Sequence, residues 1–238
     1  MCGLIKTGII VFFIVLIHEL GHVFFAKIFN FKINSVTIYP FGGYTKLEKD
    51  INTSFYKDIL LSLGGIIFQV ILLLIFNILY KNMYLSKNTI DIFNQYNSLI
   101  MLFNLLPIIP LDGSIILENI LSKFFSYKLS IKLNMYLSIF FLFIFFLFNY
   151  KYSLNNYMII MFLLYKILEN KKNINYVFNK FLLERYLRNY NYKSVCNSKK
   201  CNVSIIKKNI FYYFWKDNKW VNEKDHIKDY MSCYLNII

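Results

Sequence analysis

Two histidines and a glutamate stand out near the start of the chain, because their types and spacing suit metal chemistry. They form the pattern His18-Glu19-Leu20-Gly21-His22. Histidines at positions i and i+4 of a helix share one face and can bind a single zinc ion. The glutamate between them is then placed to accept a proton from the attacking water. The spacing predicts zinc ligands at His18 and His22 and a catalytic base at Glu19.

The setting of this pattern separates it from an ordinary surface helix with the same letters. Residues 7–29 are apolar apart from His18, Glu19 and His22, and the stretch is long enough to cross a bilayer. Ionisable residues inside a membrane span are costly and are usually functional. We therefore expect an intramembrane site and not a solvated face.

A third ligand is expected, since catalytic zinc sites commonly use three protein ligands and leave a position for water. Asp112 fits best, because it and His18 each lie about ten residues, or roughly 15 Å, before the inner end of their apolar stretches. Glu118, one or two turns nearer the cytosol, is the rival ligand. The alternative role for Asp112 is a carboxylate that caps a helix start after Pro110.

Composition and apolar run length indicate how these residues are positioned. The 238 residues are 57% hydrophobic and 20% aromatic, more than the interior of a soluble domain of this length can hold. We predict an α-helical polytopic membrane protein with about five transmembrane helices, at 7–29, 55–80, 92–121, 131–150 and 154–168. Pro107 and Pro110 break the third stretch, so its irregular backbone must be buried in protein or line a cavity.

The remaining segments predict a hairpin and a small tail. Residues 31–47 alternate and contain Pro40 and Gly42-Gly43, which indicates a short β-hairpin at the membrane edge. Beyond residue 170, we expect an amphipathic helix at 177–190 and strands at 203–206 and 210–221, with a turn at Asp217-Asn218. The predicted domains are an intramembrane metalloprotease domain, 1–169, and a small α+β cytosolic tail, 170–238.

The net charge of +14 comes almost entirely from lysine and does not indicate a nucleic-acid partner, because no reader motif accompanies it. Lysine placement instead predicts the orientation of the spans. With the tail in the cytosol, inner segments hold five lysines besides the lysine-rich tail and outer segments hold four: Lys32, Lys46, Lys49, Lys123 and Lys128 against Lys6, Lys81, Lys87 and Lys151. Cys196 and Cys201 are expected to be reduced thiols, with a metal pair as the alternative.

The chemistry expected from these residues is metal-assisted hydrolysis of a peptide bond. A helical substrate must unwind first, since its carbonyls are hydrogen-bonded. The segment 31–47 would offer a strand edge that receives the unwound substrate by β-augmentation. The alternative is a surface hairpin that only shapes the entrance.

Three motifs in this order carry a family resemblance. They are His18 to His22, Pro40-Phe41-Gly42-Gly43, and Asn104-Leu105-Leu106-Pro107-Ile108-Ile109-Pro110-Leu111-Asp112-Gly113. Together they resemble the site-2 proteases, peptidase family M50, over about residues 10–190. The later run Phe181-Leu182-Leu183-Glu184-Arg185-Tyr186 is most similar to the family members that act in endospore formation.

The resemblance implies a set of site residues and partners. His18, His22 and Asp112 match the Zn²⁺ ligands and Glu19 the catalytic glutamate, whereas positions that organise the site or bind substrate match Asn104, Pro107, Gly42 and Gly43. The implied substrate is a membrane-associated sigma-factor precursor of the pro-sigma-K type. The implied location is the mother-cell membrane around the forespore, where inhibitory membrane proteins hold the enzyme silent. Whether the chain forms a homo-oligomer stays open.

The sequence also departs from the family pattern. Ser114 stands where a second glycine is usual, and Gly65 where proline is common. The family normally has one more span before the first motif, so five spans are expected here where six are usual. The family's nucleotide-responsive domain, of the cystathionine-β-synthase type, is truncated within 170–238, and ATP binding stays open. Alternative functions are a general site-2 protease that cleaves anti-sigma factors or signal-peptide remnants, and a non-proteolytic zinc-holding scaffold.

Overall fold

The computed structural model describes residues 2–39, 42–148 and 154–235, and these parts of the chain are mostly helical. Their elements in chain order are α1 Cys2–Ile28, β1 Lys32–Tyr39, β2 Gly42–Glu48, α2 Phe55–Lys81, α3 Lys87–Leu105, α4 Asp112–Phe124, α5 Tyr127–Phe148, α6 Leu154–Leu187, β3 Ser194–Ser198, β4 Ile210–Lys216, β5 Lys219–Asn222 and α7 Glu223–Leu235. A short 3-10 turn covers Val203–Ile205.

Three helices of the described chain are long and apolar enough to cross a membrane: Ile5–Ile28, Phe55–Lys81 and Tyr127–Phe148. They agree with three of the predicted spans. The predicted stretch 92–121 consists of two helices, because α3 ends at Leu105 and α4 begins at Asp112, on either side of the segment with Pro107 and Pro110. A total of five spans stays a prediction.

The chain forms two compact units, one of Met1–Lys49 with Tyr56–Ile116 and one of Asp50–Phe55 with Leu117–Ile238. Helix α6 continues from Leu154 to Leu187, so the predicted last span and most of the predicted amphipathic helix are one helix. The predicted domain boundary after residue 169 falls inside this helix, and the division at that point stays a prediction.

In the first unit, an apolar cluster joins α1, α2 and α3. Its buried members are Ile14, Leu72, Ile90 and Phe93, and the Phe93 ring stacks on that of Phe76 at 3.9 Å between centroids. Ile14 lies one helical turn before His18 and therefore on the same face of α1. The cluster thus fixes which face of α1 meets α2.

The predicted hairpin is confirmed as an antiparallel pair of β1 and β2. Its register runs from Lys32 opposite Glu48 to Tyr39 opposite Gly42. Pro40 and Phe41, between the strands, lie outside the described residues. Beyond β2, the Lys49 Nζ atom lies 2.7 Å from Oδ1 of the buried Asp58, which connects the end of the hairpin to the first turn of α2.

In the second unit, α6 packs against α5 along a line of buried apolar side chains: Leu163, Ile167, Ile174, Phe178, Phe181 and Leu182. The rings of Tyr127 on α5 and Phe181 on α6 lie 4.4 Å apart. The main-chain N–H of Tyr127 donates to the carbonyl of Ile206 at 3.0 Å. The small tail is therefore attached to the first residue of a candidate span.

The tail holds a three-stranded sheet in which β4 lies between a parallel β3 and an antiparallel β5. The predicted strand at 203–206 is wrong, since Val203–Ile205 is a 3-10 turn. The Asn202 side chain accepts from the N–H of Ser204 at 2.9 Å, and such local bonds favour turns over strands. The third strand of the sheet is instead β3, which lies at its edge.

The predicted hairpin turn at 217–218 is confirmed between β4 and β5. Asp217 and Asn218 have φ angles of 50° and 59°, as a two-residue hairpin turn requires. Helix α7 follows β5 and packs on the inner face of the sheet, where the His226 and Phe214 rings lie 4.4 Å apart.

Candidate metal centre

The structure brings the three predicted ligands together in the first unit. The Nε2 atoms of His18 and His22 lie 3.1 Å apart. The Oδ2 atom of Asp112 lies 3.1 Å from the His18 Nε2 atom and 3.3 Å from that of His22. Both histidines are buried, with exposed fractions of 4% and 9%. Three atoms from two distant parts of the chain thus converge on one point.

This triangle fits a zinc ion. Ligand atoms about 2.0–2.1 Å from a tetrahedral zinc lie roughly 3.3–3.4 Å from one another. The three observed separations, 3.1, 3.1 and 3.3 Å, are close to that value. Two imidazoles and one carboxylate are also a usual ligand set for catalytic zinc, which leaves one position for water or substrate.

The outer ring nitrogens of both histidines have partners on α2. The His18 Nδ1 atom lies 3.1 Å from the Gln69 Oε1 atom, and the His22 Nδ1 atom lies 2.8 Å from the main-chain carbonyl oxygen of Leu61. Both oxygens are acceptors, so each Nδ1 donates, and in the neutral imidazole each Nε2 then presents its lone pair. Such outer hydrogen bonds orient metal-binding histidines in proteins.

The same face of α2 makes room for the His18 ring. Leu61, Gly65 and Gln69 follow one another at four-residue intervals and therefore lie along one side of the helix. A Cβ atom on Gly65 would lie 2.3 Å from the His18 Cε1 atom. With the ring in this position, a side chain at residue 65 would clash with it, so the placement of His18 depends on glycine here.

A second close approach fixes α1 against α2. A Cβ atom on Gly21 would lie 2.2 Å from the carbonyl oxygen of Gly64, so the two backbones are in direct contact there. Small residues permit such packing between helices in membranes. Gly21 lies between the two histidines in the sequence, and the contact therefore falls at the level of the site.

Glu19 lies beside the triangle. It is buried, and its candidate ligand atom and those of His18 and His22 lie within 4.8 Å of one another. A carboxylate next to the metal position is what a general base needs, because it must reach the water that attacks the substrate.

Asp112 is the first residue of α4, directly after the proline-containing segment. The hydroxyl of Ser114 donates to the carbonyl of Leu111 at 2.8 Å, and the Ser114 N–H donates to the same oxygen at 3.0 Å. The serine that replaces the usual glycine therefore forms two hydrogen bonds within the turn that positions Asp112. The rival ligand, Glu118, has its Oε2 atom 3.3 Å from the Asn134 Nδ2 atom of α5.

The other predicted site residues have defined places, and their roles stay predictions. Asn104 lies in the last turn of α3, and Pro107 lies in the segment that leads to Asp112. Gly42 and Gly43 open β2, opposite Tyr39 and Ile38. In the tail, Cys196 and Cys201 are exposed free thiols.

Sequence reasoning missed Gln69 and the carbonyl of Leu61 as partners of the histidines. Gln69 is a polar residue within the apolar stretch of α2, and the criterion that singled out His18 would have found it. No sequence signal marks the Leu61 carbonyl, because every residue carries one.

Comparison with known proteins identifies relatives of the chain. The model of Peptidase family M50 matches residues 7–95. Stage IV sporulation protein FB of Bacillus subtilis is 30% identical over 189 residues, which cover 78% of this chain and 66% of that protein. A protein named zinc metalloprotease from Methanocaldococcus jannaschii is 34% identical over 130 residues, or 52% of this chain and 37% of its own length.

A solved structure shares the fold. The site-2 protease from Methanocaldococcus jannaschii superposes with a TM-score of 0.54 at 24% sequence identity, over 68% of this chain and 76% of that one. At this identity the similarity concerns the fold alone. The chain spans slightly less than two thirds of the first relative's length and about a third of the second's. The family model over residues 7–95 and these relatives thus show that the chain is similar to peptidase family M50 and to proteins named as zinc metalloproteases.

Proposed function

We propose that this chain is an intramembrane zinc endopeptidase that hydrolyses a peptide bond in or near a membrane segment of another protein. The observation that carries the proposal is the triangle of two Nε2 atoms and one carboxylate oxygen, with the buried Glu19 beside it. In this proposal His18, His22 and Asp112 hold the zinc. When bound, zinc lowers the pKa of water and polarises the scissile carbonyl.

The chain's own residues supply the proton transfers. Glu19 accepts a proton as water attacks the carbonyl and returns it to the leaving amine. Gln69 and the Leu61 carbonyl hold the two imidazoles in the orientation that turns Nε2 toward Asp112 and the metal position. Burial of the site limits the water that reaches it, which strengthens electrostatic interactions with the developing charge.

We propose that the substrate binds in extended form beside the β1–β2 hairpin. Gly42 and Gly43 lack side chains at the start of β2, which lets another backbone approach closely. Strand addition would use main-chain hydrogen bonds that an unwound helix has free. Asn104 and Pro107, just before Asp112 in the chain, would then contact or orient the substrate near the metal.

The membrane arrangement is part of the proposal. Three apolar helices support membrane residence, and we propose five spans with the α3–α4 segment and the first part of α6 as the additional two. Lysine placement supports a cytosolic tail. Access to the metal would then come from the cytosolic side.

For the substrate, we propose a sporulation sigma-factor precursor of the pro-sigma-K type, with inhibitory membrane proteins as regulators. The similarity to stage IV sporulation protein FB over 78% of the chain supports this choice. General site-2 cleavage of anti-sigma factors or signal-peptide remnants is the second candidate, favoured by relatives that are named only as zinc metalloproteases. A zinc-holding scaffold would need the ligands but would not need Glu19.

Co-expression with candidate substrates tests the function. Wild type should cleave the substrate, whereas Glu19→Gln should abolish cleavage and retain zinc, because it removes the base and keeps the ligands. Zinc is measured by metal analysis of the purified protein and cleavage by immunoblotting. Processing that persists in Glu19→Gln would show that the base is assigned wrongly. A panel with a sigma-factor precursor, an anti-sigma factor and a signal-peptide remnant distinguishes the two protease hypotheses.

A further inference from the structure

We propose that Gln69 is a positioning residue for the metal centre: its side-chain oxygen fixes His18 in the tautomer and ring orientation that presents Nε2 to zinc. This inference rests on the proposed function. It adds a residue outside the motifs that carry the family resemblance, and it assigns that residue an action through His18 and not on the substrate.

The geometry defines which end of the amide must face the ring. The Gln69 Oε1 atom lies 3.1 Å from the His18 Nδ1 atom. With the oxygen in this place, Nδ1 must donate, so in the neutral ring the proton is on Nδ1 and the lone pair is on Nε2. With the amide nitrogen there instead, Nδ1 would accept and Nε2 would carry the proton, which prevents metal binding. Gln69 therefore selects the form of His18 that can be a ligand.

Burial makes a purely structural role for Gln69 a poor explanation. The residue has an exposed fraction of 0%, and among the described residues its Nε2 atom has no hydrogen-bond partner. Burying the side-chain NH2 group without a hydrogen-bond partner is unfavourable, and an apolar side chain at position 69 would avoid that cost. A leucine or methionine at position 69 could not form the hydrogen bond to His18.

The two histidines differ in how they are oriented. The partner of His22 is the main-chain carbonyl of Leu61, which is present whatever side chain residue 61 carries. The partner of His18 is a side chain and can be removed by substitution. The centre should therefore be sensitive to substitution at Gln69 and insensitive to conservative substitution at Leu61.

Asn97 on α3 offers a matched control. It is also fully buried, and its Nδ2 atom donates to the main-chain oxygen of Gln69 at 3.4 Å, not to the side chain. Replacing Asn97 by leucine removes a buried amide at the same place in the helix packing. It leaves the bond between Gln69 and His18 in place.

The test measures metal binding in the 238-residue chain, purified in lipid nanodiscs, for wild type and the variants Gln69→Met, Gln69→Glu and Asn97→Leu. Zinc affinity is obtained by competition with a chelator, and the Co²⁺-loaded protein gives a visible absorption spectrum that reports ligand geometry. We expect Gln69→Met to weaken zinc binding by about 10–100-fold and to change the Co²⁺ spectrum. Gln69→Glu keeps an oxygen acceptor and should bind zinc at least as tightly as wild type, and Asn97→Leu should resemble wild type.

Three results would overturn the inference. Gln69→Met could bind zinc like wild type, Gln69→Glu could lose affinity as much as Gln69→Met, or Asn97→Leu could lose as much as Gln69→Met. The last would mean that general packing, and not the hydrogen bond, sustains the site. A wild-type chain that binds neither metal would contradict the proposed function itself, which is a separate outcome.

Discussion

Two buried polar clusters, one in each compact unit, differ in where their hydrogen-bonding atoms point. In the tail, Arg185 and Glu223 have exposed fractions of 1% each and form a two-pronged ion pair at 2.5 and 2.9 Å. The other guanidinium protons reach the carbonyls of Ile210 and Lys207 and the side chain of Asn52. Each donor of this cluster faces an acceptor, so the cluster is complete by itself.

The cluster of His18, His22 and Asp112 is arranged in the opposite way. Its donors, the two Nδ1–H groups, point outward to Gln69 and to the Leu61 carbonyl. Its acceptor atoms point inward and lie within 3.3 Å of one another. Acceptors at this distance repel one another unless a cation or protons lie between them. A structural cluster therefore satisfies its own groups, whereas a binding cluster leaves one type of group turned toward its ligand.

The largest effect expected from this difference follows replacement of Asp112. Asp112→Asn removes the negative charge from the triangle, so zinc should be lost on brief chelator treatment and cleavage should cease. The loss of affinity should exceed the roughly 10–100-fold typical of outer hydrogen-bond partners. Asp58→Asn is the matched control, because it changes another buried carboxylate of the same unit that pairs with Lys49. If Asp112→Asn retains zinc fully, Asp112 acts as a helix cap and Glu118 becomes the ligand to test.

The next largest effect should follow Gly65→Ala. The added Cβ atom would lie 2.3 Å from the His18 ring, whereas carbon atoms in contact stay about 3.5–4.0 Å apart. The ring must move, and zinc affinity should fall by at least about tenfold, measured by chelator competition. Gly8→Ala is the control, since among the described residues nothing outside the adjoining backbone of its own helix lies within 4 Å of the position of its Cβ. Equal behaviour of the two alanine variants would show that the close contact has no role in the centre.

Breaking the tail cluster should destabilise the tail without touching the metal. Glu223→Gln leaves the buried Arg185 charge unpaired, and losing one partner of a buried pair costs about 3–5 kcal/mol. Both tryptophans of the chain, Trp215 and Trp220, lie in the tail sheet, so their fluorescence reports its unfolding by urea. Zinc content should be unchanged. As a control, Asp229→Asn breaks the exposed pair with Lys216 and should give the wild-type curve; loss of zinc in Glu223→Gln would contradict the independence of the two clusters.

The smallest effect is a pH dependence of the tail. Burial against Phe214, with a contribution from the Lys216 charge, lowers the pKa of His226 below its usual value of 6.5. The unfolded tail then binds more protons than the folded tail as pH falls through the usual pKa, so stability should decrease on acidification and be restored above it. The urea concentration at the midpoint of the fluorescence transition should be lower at about pH 5.5 than at about pH 7.5. This decrease should be smaller in His226→Phe. An identical fall in that variant would assign the effect to other groups.

Much of the first unit could be predicted from the sequence because apolar run length and residue spacing are local signals. The span that holds His18 and the hairpin before α2 are read from such patterns, and depth along two apolar stretches favours Asp112 as the third ligand, which stays a prediction. The outer partners of the histidines could not be derived. They depend on how α1 packs on α2, which residue spacing does not specify.

The tail was predicted less well for a different reason. The strand β3 is polar and exposed, and it exists because β4 offers it an edge, so no local alternation marks it. Helix α7 was missed although its start carries usable signals. The Asn222 side chain accepts from the N–H of Lys224 at 3.1 Å, and Glu223 and Asp225 lie in the first turn.

The contact between Gly21 and Gly64 has a consequence for how precisely the centre is assembled. It fixes the register of α1 against α2, because two backbones in contact can neither slide nor rotate without a clash. A shift of α1 by one residue would translate its side chains by about 1.5 Å and turn them by about 100°. His18 would then lose the gap at Gly65 and His22 would lose the Leu61 carbonyl in the same movement. Gly21 and Gly64 have no side chain that takes part in the chemistry, and their contact thus fixes the positions of both imidazoles relative to α2.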